Sequence, residues 1–191
     1  MGYEGADWLD RPERVKSEQP DRVVEALSLS PGSTVADIGA GTGFFTLRLA
    51  RQVGPTGRVI ATDLQPAMLA RLQANVAHAA LGNVVLVQAT ETDEKLPDNS
   101  IDLALMVDVY HELSRPRETL AQVRRALRPS GRLTLVEYRG EDPSVPIKAE
   151  HKMTLAQVEL EVEGEGYRLA QVLEFLPQQR IIVFTVAPGS P

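Results

Sequence analysis

Six residues, DVYHEL from Asp108 to Leu113, set an imidazole between a phenol and a carboxylate directly after the apolar run IDLALMV. Such side chains can take, hold or deliver a proton, and an imidazole, with an ordinary pKa near 6.5, is the natural base among them. A second polar group, Glu137, Tyr138 and Arg139, closes the later apolar run RLTLV, and His151 and Lys152 follow in the next polar stretch. His111 is the candidate base. Tyr110 stands beside it, and Glu137 could orient the ring or receive a cationic acceptor, so these three form the candidate catalytic set. Arg139, Lys148 and Lys152 could hold an anionic part of a substrate, with His151 on the same rim. His111, His151 and Glu137 could also ligate a metal, but the adjacent Arg139 and Lys152 would oppose a cation, and no metal is expected. A plainer account competes throughout: a histidine after a strand can cap the next segment, and Glu137 with Arg139 can be an ordinary surface ion pair. His78, on an alanine-rich helix, belongs with the plainer account.

To act together these residues need strands that end on one rim. From Ser33 the chain alternates: STVADIG reads as a buried strand, FTLRLARQV as a helix, GRVIATD as a strand, PAMLARLQANVAHAA as a helix ended by Gly82, and NVVLVQA as a strand. IDLALMVDV, RETLAQVRRALR (stopped by Pro129 and Gly131) and RLTLVEY continue the rhythm. Alternation of this kind means a parallel sheet with crossover helices, and strands apolar on both faces mean a sheet covered on both sides. After a proline-containing loop, Thr154 with Gln157 reads as a capping box for a helix ending near Gly164. YRLAQVLEF and RIIVFTVA then form an antiparallel hairpin at the sheet edge. In such sheets ligands bind at the carboxyl ends of the strands, beside the point where strand order reverses.

The turn after the first strand, VADIGAGTGFFTLRLA, joins a strand to a helix through Gly39, Gly41 and Gly43. Glycines there let the backbone approach a ligand, and a helix N-terminus offers free N–H groups. Asp63 ends the next strand about 20 residues on, where a carboxylate commonly accepts from ribose hydroxyls. The dinucleotide fingerprint wants glycine at position 44, which is Phe44, so a nicotinamide cofactor is disfavoured. With Asp37 in the strand, the D-x-G-x-G-x-G form resembles motif I of the class I S-adenosylmethionine-dependent methyltransferases. Asp63, LPDNSID, RRALRPSGRL and the final hairpin follow in that family's order, from about Val35 to Val186.

The resemblance implies a seven-stranded, mostly parallel, doubly wound α/β sheet of order 3-2-1-4-5-7-6, strand 7 antiparallel, with helices on both faces. It implies S-adenosylmethionine as cofactor and S-adenosylhomocysteine as product. By the same resemblance Gly39, Ala40 and Gly41 line the amino-acid end, with Gly43 in the same turn and Asp37 fixing the loop or meeting the amino group. Asp63 holds the ribose hydroxyls, Leu64 and Met68 flank the adenine, and Asp108 completes the cofactor set. The plainer role of Met68 is packing with Leu69 and Leu72. After strand three, ATETDEKLP departs from the family's usual acidic residue, so Thr90 or Thr92, or Glu91 or Asp93 in a shifted register, serves the adenine amino group. VDVYHEL and VEYRGEDPSVPIKAEHKMT are similar to a subgroup of small bacterial methyltransferases rather than to the menaquinone or ubiquinone branch, whose core is similar. The arsenite branch depends on cysteines, and the chain has none.

Residues 1–30 form an N-terminal arm, a lid whose Tyr3, Trp8 and Leu9 would exclude water from the site, with Trp8 also meeting substrate; residues 31–191 form the single methyltransferase domain. Formal net charge of -6 disfavours nucleic acid. Neither a signal-peptide core nor a run of about 20 apolar residues is visible, so a cytoplasmic monomer or homodimer without membrane contact is expected. The reading is a methyltransferase acting on a small-molecule acceptor, with a protein or peptide methyltransferase or a non-catalytic cofactor-binding module as alternatives.

Overall fold

The computed structural model describes residues 3–189; the side chain of Tyr3 lies outside the described residues. Seven strands make one sheet: β1 (Thr34–Ile38), β2 (Arg58–Asp63), β3 (Val84–Gln88), β4 (Ile101–Val107), β5 (Leu127–Tyr138), β6 (Tyr167–Leu173) and β7 (Gln179–Val186). Their order is β3-β2-β1-β4-β5-β7-β6, with β7 antiparallel to both neighbours, as the motif order implies.

Period-two patterning decides which helices cover which face. Along β4, Ala104 and Met106 enter one apolar cluster, while Leu103, Leu105 and Val107 enter the other. The first cluster is closed by Leu120 and Val123 of α6 (Pro116–Ala126) and by Val158 and Val162 of α7 (Leu155–Glu163). The second is closed by Val23 and Val24 of α3 (Pro20–Ala26) and by Leu49 and Val53 of α4 (Thr46–Val53). The capping box of α7 forms its helix-side bond: the Gln157 N–H donates to Thr154 Oγ1 at 3.1 Å.

Two details differ from the sequence expectation. Helix α6 runs straight into β5 at Leu127, which pairs with Ile101, and the register then slips so that Leu103 pairs with Arg132. Pro129 and Gly131 therefore sit in a bulge within the strand rather than in a stop between elements. Edge strand β3 is only partly buried along its length, so the two-faced cover holds for the central strands alone.

Between β1 and β4 the order reverses, and the turn from β1 meets the end of β4 there. Gly39 has φ 67°, and a Cβ on it would lie 2.6 Å from Val109 Cγ2. Gly43 has φ 92°, and a Cβ there would lie 2.1 Å from Cδ1 of Leu72, in α5 (Pro66–His78). Gly43→Ala combines overpacking with a left-handed backbone. It is expected to cost about 2–4 kcal/mol and to lower the melting temperature by about 5–15 °C, read by circular dichroism.

Candidate active site

A cavity of about 400 Å³ opens at the carboxyl ends of β1, β2 and β4, within the range of small-molecule pockets. Asp37, Gly39, Ala40, Gly41, Asp63, Leu64, Met68, Thr90 and Asp108 all line it. Gly43 does not; its bare face is turned into Leu72 of α5, so its part is to let the turn pack.

Asp63 ties the glycine turn to β2. Its Oδ2 accepts from the Gly41 N–H at 2.9 Å and its Oδ1 from the Gln65 N–H at 2.8 Å. A carboxylate has about four acceptor sites, so each oxygen keeps capacity for a hydroxyl. Burial raises its pKa above the ordinary value in spite of those two bonds. Asp37 accepts from Thr46 Oγ1 at 2.5 Å, and burial pushes its carboxyl up to about 6. At the adenine end expected from the motif, the buried carboxylate is Glu94, which lines the cavity and accepts from Thr62 Oγ1 at 2.6 Å. Glu91 and Thr90 line the cavity there too. Glu94 was hidden in the sequence because nothing in ATETDEKLP says which acidic side chain turns inward.

The rim expected to meet the acceptor is assembled after β4. Asp108 adopts φ 54°, and the short 3₁₀ turn Tyr110–Glu112 follows, so neighbouring side chains leave in different directions. His111 points into the cavity. Its Nδ1 lies 2.7 Å from Glu137 Oε2, and Glu137 Oε1 accepts from the Tyr110 N–H at 3.0 Å. Both Glu137 oxygens thus act as acceptors, so Nδ1 of His111 is the donor toward Glu137. That Nε2 lies 3.2 Å from Nδ1 of His151, whose ring packs edge-on against it.

Three expected site residues are turned elsewhere. Tyr110 is buried in the core, and its hydroxyl donates to Glu161 Oε2 on α7 at 3.1 Å, so it is not placed to meet a ligand. Arg139 spends its guanidinium on the hairpin turn: Nε on Glu174 at 2.8 Å, and the other nitrogens on the carbonyls of Glu174, Leu176 and Pro177. Lys152 Nζ donates to the Val145 and Asp142 carbonyls at 2.6 and 3.3 Å, holding its own loop. Glu137 does not line the cavity; it acts on His111 from behind.

The arm contributes more than a cover. Trp8 and Leu9, on α1 (Ala6–Leu9), line the cavity, as does Arg14 of α2 (Glu13–Glu18). Arg14 and Glu18 are buried and paired at 2.7 Å, a polar cluster the alternating hydropathy of the chain gives no sign of. Thr42 Oγ1 donates to Asp10 at 2.6 Å, and Arg71 on α5 pairs with Asp7 and Asp10, each at 2.8 Å. Opposite Glu18, Asp108 accepts from Gln179 Nε2; burial and the Glu18 and Glu137 carboxylates raise its pKa well above the usual range.

Comparison with known proteins agrees with this fold. A family described as "Methyltransferase domain" matches residues 35–131. The chain is 30% identical over 168 residues to the ubiquinone/menaquinone biosynthesis C-methyltransferase UbiE of Ectopseudomonas mendocina, covering 83% of this chain and 65% of that protein. It therefore spans about two thirds of the length of this relative. A crystal structure of a SAM dependent methyltransferase from Aquifex aeolicus superposes with a TM-score of 0.92 at 28% identity, covering 98% of this chain and 100% of that one. The [4+2]-cyclase SpnF shares the fold at a TM-score of 0.73 and 17% identity, with 88% and 82% coverage, an example of one scaffold carrying different chemistry.

Proposed function

Since the chain belongs to the class I S-adenosylmethionine-dependent methyltransferases, we propose that it methylates a small-molecule acceptor held between His111, His151 and the N-terminal arm. S-adenosylmethionine supplies a methyl group on a cationic sulfur, which passes to the acceptor by direct in-line displacement and leaves S-adenosylhomocysteine. The residues fit that cofactor. Gly39 and Gly41 give bare backbone at the turn, Asp37 is set to meet an ammonium group, and Asp63 keeps acceptor sites for two ribose hydroxyls. Leu64, Met68 and Thr90 wall the remaining end.

The observation that carries the reading is the Gly41 N–H donating into Asp63. A dinucleotide pyrophosphate needs that N–H for itself and would meet the Asp37 carboxylate beside the turn, whereas Asp63 alone suits the ribose of either cofactor. A cationic cofactor meets the Asp37 carboxylate as attraction.

On the acceptor side, Glu137 orients the His111 ring and His151 Nδ1 lies 3.2 Å from its Nε2, so the imidazole can take a proton from the acceptor where the acceptor displaces His151 from that position. Val109, Leu113 and Ile147 supply apolar wall beside it, which suits a ring or chain carrying one acidic group. The arm, as a lid, keeps water away from the reacting centre. A quinone-type carbon acceptor, as in the named relative, fits that apolar wall and is the second reading.

Calorimetry tests the cofactor assignment. S-adenosylmethionine and S-adenosylhomocysteine are expected to bind and NAD is not; tight NAD binding without the sulfonium cofactor would end the reading. The pH dependence adds a site-specific check. Asp37, raised from 3.8 to about 6, is protonated in the empty protein below that pH. Its folded-state pKa lies above the unfolded one, so its contribution to stability is full below about pH 4 and lost by about pH 6. A ligand ammonium requires the carboxylate. S-adenosylhomocysteine affinity is therefore expected to be flat above about pH 6.5 and to fall by up to tenfold per unit below about 6. Asp37→Asn should make that slope shallower, leaving the part that comes from Asp63, whose pKa burial also raises.

A further inference from the structure

We propose that His111, Glu112 and His151 bind one divalent transition-metal ion, zinc fitting best, on the acceptor side of the cavity. The proposal rests on the reading of this rim as the acceptor side and puts the ion in place of the His111 imidazole as the group that activates the acceptor. The three donor atoms form a closed triangle: His111 Nε2 to His151 Nδ1 is 3.2 Å, His111 Nε2 to Glu112 Oε1 is 3.9 Å, and His151 Nδ1 to Glu112 Oε1 is 3.7 Å. The point equidistant from all three corners lies about 2.1 Å from each, the length of a zinc–nitrogen or zinc–carboxylate bond. A hydrogen bond between two imidazoles needs no third donor at that distance. A metal does.

The surroundings fit the same ion. Metal-bound histidines characteristically donate their other ring N–H to a carboxylate, which fixes the tautomer and strengthens the ligand. Glu137, 1% exposed, does this to His111 at 2.7 Å and is itself steadied by the Tyr110 N–H. The cations that would oppose a metal in the linear sequence are withdrawn. Arg139 is on the hairpin turn and Lys152 on its own loop carbonyls, neither lining the cavity. Lys148 does line it, but its side chain is 79% exposed and 3.9 Å from Glu150. Glu137, buried behind His111, adds negative charge on that side of the triangle.

All three ligand residues line the cavity. Two histidines and a carboxylate leave coordination positions open, as in catalytic rather than closed structural sites. The acceptor class this selects is one with an acidic hydroxyl, or two adjacent oxygens, that can occupy those positions as an anion. With the ion in place, the Nε2 lone pair of His111 is spent on the metal. The acceptor hydroxyl is then acidified by coordination and its proton leaves to solvent water, so no imidazole base is needed.

Zinc titrated into chelator-treated, dialysed protein provides the test, with S-adenosylhomocysteine binding measured on the same samples. One equivalent of zinc is expected to bind. His151→Ala and Glu112→Ala should each weaken it by at least tenfold, and Glu137→Gln by about 10–100-fold, all with S-adenosylhomocysteine affinity unchanged. The chain has three histidines, so His78→Ala is the control and should leave zinc binding intact. Zinc binding no tighter than that of the His111→Ala, His151→Ala double variant overturns the metal site. If S-adenosylhomocysteine binds while zinc does not, the metal proposal alone falls. If S-adenosylhomocysteine fails to bind the unaltered, folded protein, the methyltransferase reading of the cavity falls with it.

Discussion

Asp63→Ala is expected to weaken S-adenosylhomocysteine binding by at least 100-fold, the largest effect of any single change at the cofactor end. Two losses combine. The first is direct, because hydrogen bonds to a charged partner are each worth about 1.5–3 kcal/mol, and the ribose would lose two. The second acts through the turn: Asp63 accepts from the Gly41 and Gln65 N–H groups, and its removal leaves both donors without that acceptor beside a ligand they must frame. Asp63→Asn should fall in between, since its amide oxygen can still accept from Gly41. Calorimetry with S-adenosylhomocysteine, alongside a circular dichroism spectrum, decides the matter. Affinity within threefold of the unaltered protein in a folded Asp63→Ala variant would contradict the ribose assignment.

His111→Ala should slow methyl transfer by about 10²–10⁴-fold, the usual range for removing a positioned proton acceptor, with S-adenosylhomocysteine affinity within a few-fold. The same variant distinguishes two chemistries when paired with His151→Ala. If the imidazole alone takes the proton, His151→Ala retains most of the activity, because Glu137 still holds His111. If a metal performs the activation, both variants lose activity together, and added zinc restores neither to the unaltered rate. Loss of cofactor binding in a folded His111→Ala protein would remove His111 from the acceptor side altogether. Glu137→Gln should slow the reaction less than His111→Ala. An amide can still meet the ring, though without a charge behind it.

The sheet was legible because its signals are periodic and redundant. Two-residue alternation, helix-length apolar runs and the Gly39–Gly43 turn all demand the same topology, and the strand order follows from it. The rim was only half legible. A strand imposes alternation, but β4 ends at Val107, Asp108 takes a left-handed conformation, and a 3₁₀ turn begins. No period then says that His111 faces the cavity while Tyr110 faces α7. Arg139 and Lys152 misled for a related reason: a long cationic side chain beside a site can equally turn to loop carbonyls, and here both do. Arg14 and Glu18 lay beyond reach. Their burial depends on a contact between the arm and residues more than 100 positions later, such as Tyr138, whose hydroxyl meets Glu18 at 3.5 Å.

The arm and the loop through His151 share a property with consequences on an evolutionary scale. Trp8 and Leu9 from one, and Pro146, Ile147 and His151 from the other, wall the cavity, yet none belongs to either apolar cluster that holds the sheet together. Substitutions there are spared the several kcal/mol that core changes cost. On the proposed reading, these two peripheral segments can change what they admit without disturbing the sheet, while the turn tied to the strands through Asp37 and Asp63 stays as it is.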